Sequence, residues 1–162
     1  MRKLALCFVI AFMAVNIAVK AQVSTSPNDI ISKENVTIDL IKSIFQNSYY
    51  EITETTATYI KIKDTYSIYI DLDEEKRYLT YSVNWPINES FSLQQKFDLL
   101  NRISKEVLVV TPYYSTSGST LVVKTTVWIE GGNTAKNIVL NEKIFLKALN
   151  LVLDKDTLRI IK

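Results

Sequence analysis

Hydrophobic and polar residues alternate along several segments of the chain, which is typical of β-strands that bury one face. The alternation is regular in residues 65–72 and 78–85, and residues 56–63 share it in part. The connections between these three segments are short and polar, so we expect an antiparallel meander. Two further strands are expected at residues 107–114 and 121–130, where a glycine-containing turn separates two apolar runs.

A different spacing, with apolar residues three and four positions apart, predicts helices over residues 36–46, 93–105 and 141–153. Ser92 and Gln95 have the spacing of a capping box at the start of the second helix. The element order α-β-β-β-α-β-β-α predicts an α+β domain whose five-stranded, mainly antiparallel sheet is covered by helices on one face. We expect its core to contain Ile68, Ile70, Val83, Phe97, Leu100, Val127, Phe145 and Leu149.

The first 21 residues have the layout of a secretory signal peptide. Two basic residues are followed by an apolar run over residues 4–15, and Val19 and Ala21 precede a cut ahead of Gln22. The apolar run is shorter than the ~20 residues that a transmembrane span needs. We therefore expect an exported protein, periplasmic or extracellular, with no membrane insertion after cleavage.

The rest of the chain divides into a leader and a single domain. Residues 22–34 are polar and contain Pro27, so we interpret them as a flexible leader, with the domain at residues 35–162. Cys7 is the only cysteine and lies in the signal segment, so we expect a domain without disulfides. Without residues 1–21 the formal charge is −1 rather than +2, and no basic stripe is present. We therefore expect no nucleic-acid partner.

The residue types on which many enzymes depend are scarce. The chain has no histidine and only three glycines, which excludes Ser-His-Asp and Cys-His machineries and glycine-rich phosphate loops. Zinc's usual ligands are also missing after residue 21. The acidic cluster at residues 71–75 lacks the glycine and glutamate of a calcium loop, so we interpret it as a solvated hairpin turn balanced by Lys76 and Arg77. We expect no cofactor and no metal.

The sheet face that the helices should leave open is rich in aromatic residues. Because the alternation assigns Ile60, Ile68 and Val83 to the helix side, the pleat assigns several large side chains to the opposite face. These candidate binding residues are Tyr59, Tyr69, Tyr78, Trp128, Lys61 and Lys124. Two interpretations stay open: the patch binds a partner, or the aromatic residues pair across strands and stiffen a solvated sheet.

The order of elements resembles that of the YbjN-like family, whose domain is similar to type III secretion chaperones. The resemblance covers about Ile38 to Leu153. Its best stretch runs from Phe97 on the second helix, with the Leu100-Asn101 pair, through the following hairpin to Gly131-Gly132 before the amphipathic last helix. It implies a non-enzymatic binding domain, often dimeric. Members are mostly cytosolic, so the signal peptide is a departure from the family.

From the residues and the resemblance together, we expect an exported protein-interaction domain, chaperone-like or regulatory. Its partner would be another protein or a second copy of the chain. The alternative is a small envelope hydrolase or ligand-binding enzyme that uses carboxylates and tyrosines.

Overall fold

The computed structural model describes residues 26–162, so the predicted signal peptide lies outside the described residues. The helices are α1 (Ile38–Asn47), α2 (Leu93–Glu106) and α3 (Ala135–Lys155), and a short 3-10 helix covers Lys33–Asn35. The strands are β1 (Ile30–Ile31), β2 (Glu51–Thr55), β3 (Tyr59–Lys63), β4 (Ser67–Leu72), β5 (Tyr78–Pro86), β6 (Thr111–Tyr114), β7 (Thr120–Trp128) and β8 (Asn133–Thr134). In this part of the chain no helix is long and apolar enough to cross a membrane.

Six strands form one antiparallel sheet in the order β2-β3-β4-β5-β7-β6, and β1 pairs with β8 in a separate two-stranded sheet. The predicted α+β class is confirmed, but the main sheet has six strands instead of five. The additional strand β2 lies at the edge of the sheet, and Ile52 is its only apolar residue. A strand with so little apolar content gives no alternation that the sequence could reveal.

The core lies between the main sheet and the helices. Six of the eight predicted core residues are buried, and Leu100 packs against the core from a partly exposed position. The prediction for Phe97 is wrong, because its side chain is 47% exposed. On α2 the buried residues are Leu99 and Ile103, which lie on a different side of the helix. Both sets of residues have helical spacing, so periodicity alone could not choose between them.

The ends of the helices follow their local sequence. The predicted capping box is present, since Gln95 N donates to Ser92 Oγ and Ser92 N donates to Gln95 Oε1. Helix α3 begins six residues earlier than expected, with Thr134 as its N-cap. The hydroxyl of Thr134 accepts a hydrogen bond from Asn137 N and so satisfies one of the free donors at the helix start.

Strand β1 lies inside the segment that the sequence predicts as a flexible leader. Ile31 is buried, and Lys136 N at the start of α3 donates to Pro27 O at 2.9 Å. These contacts place Pro27 and Ile31 of the predicted leader against the domain. The polar composition of the segment hides the one apolar pair, Ile30-Ile31, that forms the strand.

Candidate binding face

The face of the six-stranded sheet that points away from the helices is here called the open face. Along β3, β4, β5 and β7 its residues alternate with buried residues such as Ile60, Ile70, Leu79 and Val127. All six predicted patch residues lie on the open face: Tyr59 and Lys61 on β3, Tyr69 on β4, Tyr78 on β5, and Lys124 and Trp128 on β7.

The four aromatic residues of the open face form two pairs. Tyr59 and Tyr69 meet edge to face with ring centroids 5.7 Å apart, and Tyr78 and Trp128 do so at 5.4 Å. Tyr78 and Trp128 are direct cross-strand partners on β5 and β7. Trp128 remains 65% exposed, so pairing covers only part of its ring. The predicted patch therefore consists of two aromatic pairs with a polar gap between them.

Both lysines of the open face lie over tyrosine rings. Lys61 Nζ is 4.9 Å from the centroid of Tyr69, and Lys124 Nζ is 5.5 Å from that of Tyr113. The ring quadrupole attracts a cation placed in this way. Tyr113 on β6 was not among the predicted site residues, although alternation with the buried Pro112 assigns it to the open face. The structure thus adds a fifth aromatic residue at the β6 edge.

The gap between the two aromatic pairs is occupied by Asp71. It is the direct partner of Tyr59 on β3 and of Thr80 on β5, and Tyr69 precedes it by two residues on β4. Its side chain is half-buried, and this burial raises the pKa of the carboxyl group. Within residues 26–162, Asp71 forms no ion pair and no side-chain hydrogen bond.

The sequence pattern groups Asp71 with the acidic turn, but in the structure β4 continues to Leu72 and the turn begins only at Asp73. The Asp73 carboxylate accepts a hydrogen bond from Arg77 Nε at 3.0 Å, and this contact lowers the pKa of Asp73 to about 2. Arg77 also pairs with Glu75 at 3.3 Å. The predicted charge balance of the turn is therefore present at Arg77. The signal that could have identified Asp71 was its alternation with Tyr69 on the same strand.

At the β2 edge, the hydroxyl of Tyr59 donates a hydrogen bond to Glu54 Oε1. This bond raises the pKa of the Tyr59 hydroxyl. Glu54 is also the cross-strand partner of Lys61. Carboxylates and ammonium groups therefore alternate across this side of the open face, and neither sign of charge dominates it.

Two cavities lie outside the open face. A shallow groove of about 400 Å³ is lined by Ile30, Leu140 and the residues around Gly132, with no acidic side chain. A smaller one of about 60 Å³ contains Asp98 and Asp156. Both carboxylate oxygens of Asp156 accept backbone N–H groups, from Ile160 at 2.8 Å and Ile161 at 2.7 Å. In the described part of the chain, no three His, Cys, Asp or Glu residues are close enough together to hold a metal ion.

Comparisons with known proteins agree with this geometry at the level of the fold. No protein-family model matches the chain, and no curated protein matches its sequence. A solved structure of YbjN from E. coli, titled as a candidate transcription regulator, superposes with a TM-score of 0.66 and 15% sequence identity. The match covers 78% of this chain and 96% of that chain. The predicted resemblance is thereby confirmed for the fold: the chain has a YbjN-like fold.

Proposed function

We propose that the protein is an exported, non-enzymatic interaction domain that binds a protein partner through its open face. The observation that carries the proposal is the pair of aromatic clusters on a sheet face that no helix of the described chain covers. Tyrosine and tryptophan suit such a face, because they bury a large area with few rotatable bonds and keep a polar tip for hydrogen bonding.

The charges on the open face favour a protein over a nucleic acid. Lys61 and Lys124 are accompanied by Asp71 and Glu54, so the face carries both signs. A nucleic-acid site needs a basic patch or stripe that neutralises phosphates. The YbjN structure is titled as that of a candidate transcription regulator. For the present chain we propose a protein partner, because its open face lacks such a stripe.

The dimensions of the open face suit an interface of ordinary size. Six strands spaced about 4.8 Å apart span roughly 25 Å, and β5 and β7 pair over nine residues. Such a face offers an area close to the roughly 800 Å² that each partner contributes to a standard interface. A second copy of the chain is one partner that fits, since the same patch on both copies would give a symmetric dimer.

The geometry gives less support to a hydrolase or ligand-binding enzyme. Acid–base hydrolysis needs two carboxyl groups that converge on a cleft. In the cavity that contains Asp98 and Asp156, the Asp156 carboxylate is already used by backbone N–H groups. Tyr50 also donates a hydrogen bond to a carboxylate, that of Glu142 on α3. Glu142 is completely buried, so a substrate in solvent would not reach it.

Export is part of the proposal and rests on residues 1–21. A positive start, an apolar run and the Val19-x-Ala21 pattern occur there in the order of a signal peptide. N-terminal sequencing of the protein isolated from the cell envelope or medium should read from Gln22. An intact Met1 in that fraction would contradict the assignment.

The binding proposal is tested by the double change Tyr69→Ser with Trp128→Ser, which removes one member of each aromatic pair. The matched control is Tyr49→Ser with Phe97→Ser, because both aromatic residues are exposed but lie outside the open face. Self-association is measured by sedimentation, and partner capture is measured from envelope extract. We expect the first variant to lose both and the control to keep both. If the first variant keeps both while folded, the open face is only a solvated sheet surface.

A further inference from the structure

Asp71 lies among three tyrosines of the open face. Tyr59 is its direct cross-strand partner, and Tyr69 lies two residues before it on β4. Tyr78 is two residues from Thr80, the other cross-strand partner of Asp71. Side chains in such diagonal positions are about 7–8 Å apart, within reach of aromatic rings. The register thus surrounds one carboxylate with aromatic groups from three adjacent strands.

Two basic residues that adjoin Asp71 in the register and in the following turn, Lys61 and Arg77, contact other groups. Lys61 lies over the ring of Tyr69, and Arg77 is held by Asp73 and Glu75 in the adjoining turn. Asp71 therefore keeps a half-buried charge without an ion pair inside residues 26–162. Partial withdrawal from water destabilises the charged form of a carboxylate that has no ion-pair partner. A cation supplied by another molecule would therefore stabilise it.

We propose that Asp71 receives an arginine side chain of the protein partner, with the guanidinium group stacked on Tyr59, its direct cross-strand neighbour. The inference rests on the proposed function and names the chemistry of the partner. Arginine fits better than lysine, because its planar fork binds a carboxylate through two parallel hydrogen bonds and stacks on aromatic faces. The position of Asp71 between the two aromatic pairs would place this contact near the centre of the interface, where single residues contribute most to affinity.

The first test uses a small probe that does not require the partner. N-acetyl-arginine amide is titrated into the purified protein, and backbone amide resonances are followed by NMR. The control probe is N-acetyl-citrulline amide, which has nearly the same shape without the charge. We expect the arginine probe alone to shift the resonances of residues 59, 69, 71 and 80. Equal shifts with the citrulline probe would overturn the inference.

The second test changes the protein. Asp71→Asn keeps the shape and removes the charge, so it should weaken binding of the arginine probe by roughly tenfold. Asp154→Asn is the matched control, because it removes an exposed charge from the last turn of α3. This control should bind the probe as the unchanged protein does. Unaltered binding by a folded Asp71→Asn protein would show that the inference is wrong.

Capture from envelope extract separates this inference from the proposed function. If the Tyr69→Ser, Trp128→Ser protein loses its partner while Asp71→Asn keeps it in full, the open face binds but the arginine site is wrong. If the double variant keeps the partner, the proposed function fails. Loss of the partner by both variants, with retention by Asp154→Asn, supports the two proposals together.

Discussion

The hydroxyl of Tyr50 donates a hydrogen bond to Glu142 Oε2, and this contact joins the turn after α1 to α3. Glu142 is completely buried, and its Oε1 has no hydrogen-bond partner in the described part of the chain. The ring of Tyr50 meets Phe45 edge to face at 5.3 Å, and Lys143 Nζ lies 4.7 Å from the same ring. A buried carboxyl group with one bonded oxygen is thus part of the apolar core.

The stability of the protein should depend on the protonation of Glu142. Burial raises the pKa of this carboxyl group, so the folded chain binds the proton more tightly than the unfolded chain. Glu142 therefore stabilises the fold below its ordinary pKa, and this contribution is lost as the pH rises through the raised value. We expect Glu142→Gln to become progressively more stable than the unchanged protein from pH 4.5 to pH 7.5 in urea unfolding. The stability of the exposed control Glu74→Gln, relative to the unchanged protein, should change much less with pH. If the stability of Glu142→Gln relative to the unchanged protein falls as the pH rises, the account is wrong.

Removal of the Tyr50 hydroxyl should cost more than removal of an exposed one. In Tyr50→Phe the Oε2 atom of Glu142 loses its partner and neither carboxylate oxygen is hydrogen-bonded, so the free energy of unfolding should fall by about 1–3 kcal/mol. The loss should be larger at pH 7.5 than at pH 4.5, because an ionised carboxylate needs the hydrogen bond more. Tyr66→Phe is the control, since its hydroxyl donates to Asn150 in an exposed position. Equal losses in the two variants would contradict the role assigned to the buried pair.

Two phenylalanines should differ sharply in their contribution to stability. Phe145 on α3 is 1% exposed and lies next to Tyr81, so Phe145→Ala should cost ~3–5 kcal/mol. Phe97→Ala should cost less than ~1 kcal/mol, because nearly half of that side chain is in solvent. Chemical unfolding of both variants measures the difference. A similar cost for both would mean that α2 presents a different side to the core.

The two adjacent glycines before α3 should respond differently to alanine. Gly132 has φ +90, and a Cβ atom there would lie 2.7 Å from Ile30 Cγ2 and 3.4 Å from Ile31 O. Gly132→Ala should therefore destabilise the protein by more than ~1 kcal/mol and loosen β1. At Gly131 an added Cβ atom would have no other heavy atom within 4 Å, so Gly131→Ala should change stability by less than ~0.5 kcal/mol. Thermal unfolding of the pair provides the measurement, and equal midpoints would exclude the close approach of β1.

Strands and helices with a regular apolar pattern along most of their length could be predicted from the sequence. Elements with few apolar residues could not. Strands β4, β5 and β7 alternate over most of their length, and the pleat then fixes which residues share the open face. Strand β2 has a single apolar residue and gave no signal. On α2 two stripes of similar spacing compete, and packing against β6 and α3 selects one that the pattern cannot identify.

Two acidic residues, Glu142 in the core and Asp71 on the open face, occupy positions that residue spacing indicates. Glu142 lies three residues before Phe145 and so belongs to the buried stripe of α3. Asp71 alternates with Tyr69 and so belongs to the open face. In both cases the spacing indicates the position, but an acidic residue is ordinarily exposed, so the residue type does not point to a buried or partly buried role. Tyr50 is 92 residues from Glu142 in the chain, and only the fold brings the two together.

Photo-crosslinking from the open face tests the central claim most directly. The photoreactive residue p-benzoylphenylalanine replaces Trp128 in one version of the full chain and Tyr49 in another, and both are irradiated in living cells. Both positions are exposed, but only Trp128 lies on the open face. The account predicts a discrete covalent adduct from position 128, with a partner or with a second copy, and none from position 49. A folded protein that gives no adduct at 128, or the same adduct at both positions, would contradict it.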